Sequence, residues 1–320
     1  MLARAPGPEA SPPQPTIGEP DAVLGFYGPD SQMWRINREA VLLGAGPAAL
    51  LLQIAHPLVA EGVAAHSAFE ADPFARLRRT LRTTLGLVFG DGPTARRSVA
   101  RLNGIHQRVQ GEVQDPGARA ATGRSHYAAL DPELLLWVQA TLLLTSARAY
   151  ATWVGPISPA DREAFWQEAR AVGVWLGIPL AVSPPSWPEL EAWFEAQLAP
   201  DGPVRVTDTA RAMAPTIIRP PLPACPAGLV ALATLPGLGL LPPRVRADFG
   251  IAWSRRHQLA ADALGLGLRW WVRSLPRSWR ATPPARAAES RARHQHRPRR
   301  GRRARARSRA TSATIPAVTR

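Results

Sequence analysis

The chain has 320 residues, 46% of them hydrophobic and 20% charged, enough for one large domain or two small ones. Its net charge of +15 is uneven: residues 281–320 hold twelve arginines and one acid, so the other 280 residues carry only +4, and the folded part does not read as a basic nucleic-acid-binding domain. The single cysteine, Cys225, excludes a disulfide framework, cysteine-clustered zinc or iron–sulfur sites and a c-type haem attachment.

Residues 1–20 contain six prolines and no apolar run, so they read as a disordered leader and not as a signal peptide. The most apolar stretch, Ala40 to Ala65, carries Gln53, His56, Pro57 and Glu61. Such groups are costly in lipid, so it reads as buried helix in a large α-domain, with no transmembrane segment and a cytoplasmic location expected by default. Ile36, Ala40, Leu43 and the run to Ile54 have helical period. Pro57 disfavours αR at His56, which predicts a helix break there.

Residues 73–89 place Phe74, Leu77, Leu81, Leu85 and Val88 at steps of three and four, with arginines opposite. A further helix is predicted over 93–110, where His106 shares a face with Val99, Leu102 and Val109. Asp131-Pro132-Glu133, Ser158-Pro159-Ala160-Asp161 and Ser186-Trp187-Pro188-Glu189 are helix starts. Val204–Val206 is the one strand candidate. Residues 281–320 are rich in Arg, Pro, Ser and Ala and are expected to be a disordered tail. The expectation is an all-α, single globular domain over 21–280 with roughly eight to ten helices.

Five histidines fall inside that domain: His56, His66, His106, His126 and His257. His56, Glu61 and His66 do not return to one helical face, unlike the i, i+4 ligand pairs of zinc helices. His106 is compatible with a satisfied core histidine or with a haem ligand, which needs one neutral ring nitrogen aimed into an apolar slot. Arg76 and Thr80, at i and i+4, point the same way and are suited to reach a buried carboxylate or propionate. Neither a dinucleotide fingerprint nor a Gly-x-Ser-x-Gly elbow is present.

Several segments together resemble a known family. They are Gly28-Pro-Asp-Ser31 with Trp34, Ala49 to Ala60 with His66-Ser67, and Asp72 to Thr80. Phe89-Gly90, His106-x-x-Val109-x-Gly111, Tyr127 to Val138 and Leu240-Leu-Pro-Pro-Arg-Val-Arg246 complete the set. Over about residues 22–290 the chain is similar to the MpaB-type oxygenases, a family that includes the catalytic domain of latex-clearing rubber oxygenase. The resemblance implies a globin-reminiscent helical fold that binds haem b (iron) non-covalently. It implies O2-dependent oxygenation or oxidative cleavage of an isoprenoid or other small apolar alkene.

By the same resemblance His106 is the metal ligand. Arg76 and Thr80 belong to the distal side, with His56 and Glu61 as further catalytic candidates, and Arg79 and Arg101 contact the cofactor. Arg79 stands where that branch can present a lysine to iron, which an arginine cannot replace. Gln139 stands where the family often has histidine, and it can hydrogen-bond but not titrate. The eleven tryptophans suit a haem and lipid-like substrate pocket, or plain core. The alternative is a non-catalytic haem- or lipid-binding module whose basic tail binds polyanions or an anionic membrane surface weakly.

Overall fold

The computed structural model describes residues 18–66, 73–220 and 225–296. The expected leader (all but its last three residues), residues 67–72 and 221–224, and the tail beyond His296 lie outside them. Within them the chain is helical. α1 (Gln32–Asn37) and a 3-10 segment (Ala40–Ala45) lead into α2 (Gly46–Ala55) and α3 (Pro57–His66). α4 (Pro73–Phe89) and α5 (Gly92–His106) follow, then α6 (Pro116–Thr122), α7 (Pro132–Trp153) and α8 (Pro159–Trp175). α9 (Trp187–Leu198), α10 (Asp208–Ile218), α11 (Ala227–Gly239) and α12 (Pro243–Asp248) come next, and α13 (Arg255–Ser274), α14 (Arg277–Arg280) and α15 (Pro283–His296) close the described chain. The described residues form fifteen α-helices against the eight to ten expected, because helices of four to seven residues (α1, α6, α12, α14) are too short to show a period.

Local chemistry sets the helix starts. Asp131 Oδ1 accepts the Glu133 N–H at 3.0 Å, and Ser158 and Ser186 accept from Asp161 and Glu189 at 3.0 and 3.4 Å. Each satisfies one of the four N–H groups that a helix start leaves without partners. Asp161 is not the reciprocal half of a capping box. Its carboxylate turns to Gln32 and Arg35, at 2.9 Å each. Glu168, one face along α8, accepts the Gln32 and Met33 N–H groups at 3.0 and 2.8 Å. Two acids of α8 thereby fix the start of α1.

The core forms around α7, which packs against α1, α2, α8, α9 and α13. Trp137 of α7 stacks on Phe194 of α9 with centroids 5.2 Å apart and rings 9° from parallel. Three buried indoles each give their N–H to a main-chain carbonyl: Trp34 to Val88, Trp137 to Gln53 and Trp166 to Pro184, at 2.9, 3.2 and 2.9 Å. Such bonds offset the cost of taking the indole N–H out of water. α7 is long and apolar enough to cross a membrane by composition, but 67% of that window is buried inside the fold.

The apolar stretch from Ala40 is not one straight helix. Its two parts meet at 107°, and the bend lies at His56, whose φ of −78° and ψ of 123° are the extended values that the following proline demands.

Three expectations are corrected. Val204–Val206 forms no strand. The only strands among the described residues are β1 (Gln110–Glu112) and β2 (His126–Ala128), paired antiparallel with Gly111 opposite Tyr127. Accordingly the helix expected over 93–110 ends at His106, and Val109 sits in the turn before β1. The tail expected to be disordered from 281 is ordered through His296. Ala285, Ala288 and Ala292 of α15 are buried, and α15 packs on α4. Glu289 meets the buried Arg38 at 2.9 Å, and Arg291 donates to the Phe89 carbonyl. Composition misled here because alanine buries a helix face without a strongly hydrophobic signature.

Candidate active site

His106 closes α5. That helix starts at Asp91, whose Oδ1 accepts the Thr94 N–H at 2.9 Å, with Pro93 in the first turn. At its other end the chain turns into β1. The His106 carbonyl accepts the Val109 N–H at 3.1 Å. The imidazole is half-buried, and its Nδ1 is fully buried without a hydrogen-bond partner. Burial lowers the His106 pKa below the ordinary imidazole value, so the ring is neutral at neutral pH and offers a nitrogen lone pair.

One turn earlier, Asn103 gives its Nδ2 to the Trp175 carbonyl at 3.0 Å, while its Oδ1 is buried and unpartnered. That bond ties the end of α5 to the end of α8. Trp175 in turn stands edge-on to Phe26, 5.4 Å between centroids. These are two of twelve buried side-chain atoms without a partner among the described residues, and they lie one helical turn apart. A neutral imidazole with an unsatisfied buried nitrogen fits a single-ligand cofactor such as haem.

His56 is placed differently. Its Nδ1 accepts the Leu58 N–H at 3.3 Å, so the ring caps the start of α3 and carries its proton on Nε2. The ring is buried, 6.2 Å from Trp137. Burial, with help from Arg124 and against Asp131, lowers its pKa from 6.5 to about 4. Arg124 and Asp131 pair at 2.6 Å.

Glu61 is buried on the next turn of α3, and both of its carboxylate oxygens are engaged. Oε2 accepts the Gln114 N–H at 2.6 Å, and Oε1 lies 3.2 Å from Thr209 Oγ1. Thr209 Oγ1 is also 2.9 Å from Asp115 Oδ2, to which the Thr209 N–H donates at 3.0 Å. Burial would raise the Asp115 pKa, but hydrogen bonds from Thr209, Thr207 and Gly117 outweigh it and hold the group at about 2. The cluster locks α3, α6 and α10 together. Tyr127 closes it on one side, its pKa raised by burial and by Glu61.

His66 leaves this group. Its Nε2 meets the Gln110 carbonyl at 3.2 Å and its ring stands edge-on to Tyr127. His56, Glu61 and His66 therefore each have a separate structural partner. Among the described residues no group of three or more His, Cys, Asp or Glu side chains is placed to hold a metal ion.

The arginine-bearing helix is less convergent. Arg79 and Thr80 of α4 and Arg101 of α5 are exposed, and they are not gathered with His56 in one buried pocket. The side chain of Arg76 lies outside those described. Gln139 of α7 donates to the Ala169 carbonyl of α8 at 2.9 Å, and its Oε1 is buried and unpartnered. It lies against Gly173, where an added Cβ would approach Nε2 to 3.1 Å.

Two residues of consequence carry no sequence signal as site candidates. Asn103 is recognisable only once α8 is seen beside α5. Thr209 is 148 residues from Glu61, a distance no local period bridges.

Two relatives, uncharacterized protein Mb2261 of Mycobacterium bovis and uncharacterized protein Rv2237 of Mycobacterium tuberculosis, are each 29% identical over 245 residues. That is 73% of this chain and 90% of theirs. No solved structure matches the chain. Residues 33–274 match the family described as ER-bound oxygenase mpaB/B'/Rubber oxygenase, catalytic domain. That span includes the α2–α3 bend, all of α4 and α5, and the α7–α13 core, so the chain belongs to this family of oxygenases.

Proposed function

We propose that the protein is a haem b-dependent oxygenase acting on a small apolar alkene, an isoprenoid being the class, with His106 as the residue that would hold the iron. The observation that carries the reading is the buried, unpartnered Nδ1 of a neutral imidazole at the end of α5, in a chain of an oxygenase family. When bound, haem would supply the activation of O2, chemistry that protein side chains lack.

The chain's own residues do the rest. Asn103 anchors the last turn of α5 to the Trp175 carbonyl and so fixes where the imidazole points. His56 holds its proton on Nε2 because Nδ1 is committed to the Leu58 N–H, and it stays a neutral donor down to about pH 4. A neutral donor of this kind polarises an oxygen-derived group without adding a buried charge. Leu51, Leu52 and Trp137, all buried, belong to the core on which α2 and α7 meet. Arg79 and Arg101, exposed at the surface of α4 and α5, suit the carboxylates of a cofactor at its solvent edge. A catalytic role for Arg76 and Thr80 rests on the resemblance alone, since Thr80 is exposed on α4. Glu61, whose oxygens are both engaged, holds α3 in place and so positions His56.

The test is an absorption spectrum of the purified protein with a pyridine haemochrome assay. The expected result is a Soret band and one haem per chain, lost in His106→Ala while the circular dichroism of the fold is kept. With haem bound, an isoprenoid alkene should then consume O2 and yield carbonyl products. A protein that takes up no haem, even when haem is supplied during expression, overturns the reading.

A further inference from the structure

α13 is apolar on two sides. Ala261, Gly265 and Val272 are buried, and Gly265 lies against Thr152 and Trp153 of α7. The opposite side repeats the pattern at steps of four, three and four with Leu259, Ala263, Leu266 and Trp270, and all four are exposed. Leu266 is 55% exposed and Trp270 78%; Trp271 and, on α14, Trp279 add 57% and 72%. Indoles are rarely left in water at this level, because each forfeits a large burial term.

Between Trp271 and Trp279 lies an open crevice of about 190 Å³, floored by Val41, Val272 and Leu275. Glu39 and Arg280 form its polar rim, joined by two hydrogen bonds of 2.9 Å. Residues 251–280 carry six arginines and one acid, Asp262. Arg273 and Arg277 are exposed beside the indoles.

We propose that the α13–α14 face is a docking surface for an anionic phospholipid bilayer. Trp270, Trp271 and Trp279 sit at headgroup depth, Leu259 and Leu266 reach the acyl boundary, and the arginines meet lipid phosphates. Tryptophan and arginine on one amphipathic face are the chemistry of an interfacial helix. Charge decides between a bilayer and a second copy of the chain. A symmetric dimer through this face would bring the same arginines together, which costs free energy, whereas anionic headgroups complement them. The crevice between two indoles also suits an acyl chain better than a flat protein surface. The proposal does not depend on haem binding.

Vesicle co-sedimentation of the full-length chain tests it. The probe is phosphatidylcholine vesicles with about one third phosphatidylglycerol, against phosphatidylcholine alone. Binding is expected to the mixed vesicles, weakened by salt, with a blue shift of tryptophan emission. Replacing Trp270, Trp271 and Trp279 by alanine together should lower the partition coefficient roughly tenfold or more, and replacing them by phenylalanine should restore much of it. Because these side chains are exposed, circular dichroism should be unchanged. Should the triple variant misfold, Trp270→Ala and Trp279→Ala separately are each expected to weaken binding. Wild-type binding by the alanine variants would assign attraction to charge elsewhere, the arginine-rich residues beyond α15 included, and overturn the proposal. So would failure of the wild type to bind. A wild-type dimer that the variants dissociate, with no change on vesicles, would overturn it in favour of a second copy.

Discussion

His56 makes the stability of this fold depend on pH in a defined window. In the folded chain its pKa is about 4, against 6.5 when free, chiefly because the ring is buried. Between those values the unfolded chain takes up a proton that the folded chain refuses. Stability is therefore full above pH 6.5, falls as the pH drops, and has lost the whole contribution below about 4. The gap corresponds to about 3 kcal/mol. His56→Asn isolates it: asparagine can still accept the Leu58 N–H from the capping position but does not titrate. Urea unfolding of both proteins at steps from pH 7.5 to 4 gives the difference directly. Near neutrality the variant should be less stable by about 1–2 kcal/mol, for the lost contact with Trp137. That deficit should shrink and then reverse as the pH falls, a total swing of about 3 kcal/mol. His106 and the carboxylates titrate alike in both chains and cancel. Parallel pH profiles would refute the reasoning, since they would mean that His56 is protonated as readily in the fold as in water.

Arg246 is buried without an acidic partner. Its Nη1 meets the Leu238 and Gly239 carbonyls at the end of α11, at 3.2 and 3.3 Å, and its guanidinium lies over Trp253 at 4.6 Å; Arg246→Ala should destabilise by about 3 kcal/mol in urea unfolding. A chain ended after residue 296 should melt close to the full chain. One ended after residue 280 should lose on the order of 3 kcal/mol, because Arg38 would stay buried without Glu289. Gly25 adopts φ +78°, and an added Cβ would fall 2.1 Å from the Gly90 carbonyl oxygen. Gly25→Ala should therefore cost about 2 kcal/mol or more and lower the melting temperature.

What local chemistry dictates was legible in the sequence. Asp131, Ser158 and Ser186 each precede a proline-bearing first turn, and the structure starts helices there. Pro57 announced the break at His56, and the break bends the chain by 107°. What depends on distant partners was not legible. β1 and β2 have three residues each, too few to show alternation. Val204 and Val206 do alternate with Arg205 and are buried. Yet Arg205 spends its donors on the carbonyls of Ala199, Pro200 and Val204, so the segment packs as loop.

The same limit explains the candidate site and the surface together. A helical period states which residues share a side; it does not state what covers that side. α13 has two apolar sides, and only the packed structure separates Ala261 and Val272, which face the core, from Leu266 and Trp270, which face solvent. The many tryptophans divide in the same way: Trp34, Trp137, Trp153, Trp166 and Trp187 are buried core, while Trp270, Trp271 and Trp279 stand outside. For His106 the period gave a face shared with Val99, which by itself favoured a satisfied core histidine; only the family resemblance pointed to a cofactor ligand. The structure adds that its Nδ1 is buried without a partner, as are eleven other side-chain atoms among the described residues, so the haem spectrum of His106→Ala is what separates the two readings. A core histidine is kept by the carbonyl it bonds; an unpartnered Nδ1 costs stability, and a variant that removes the ring should recover that cost if the imidazole serves the fold alone.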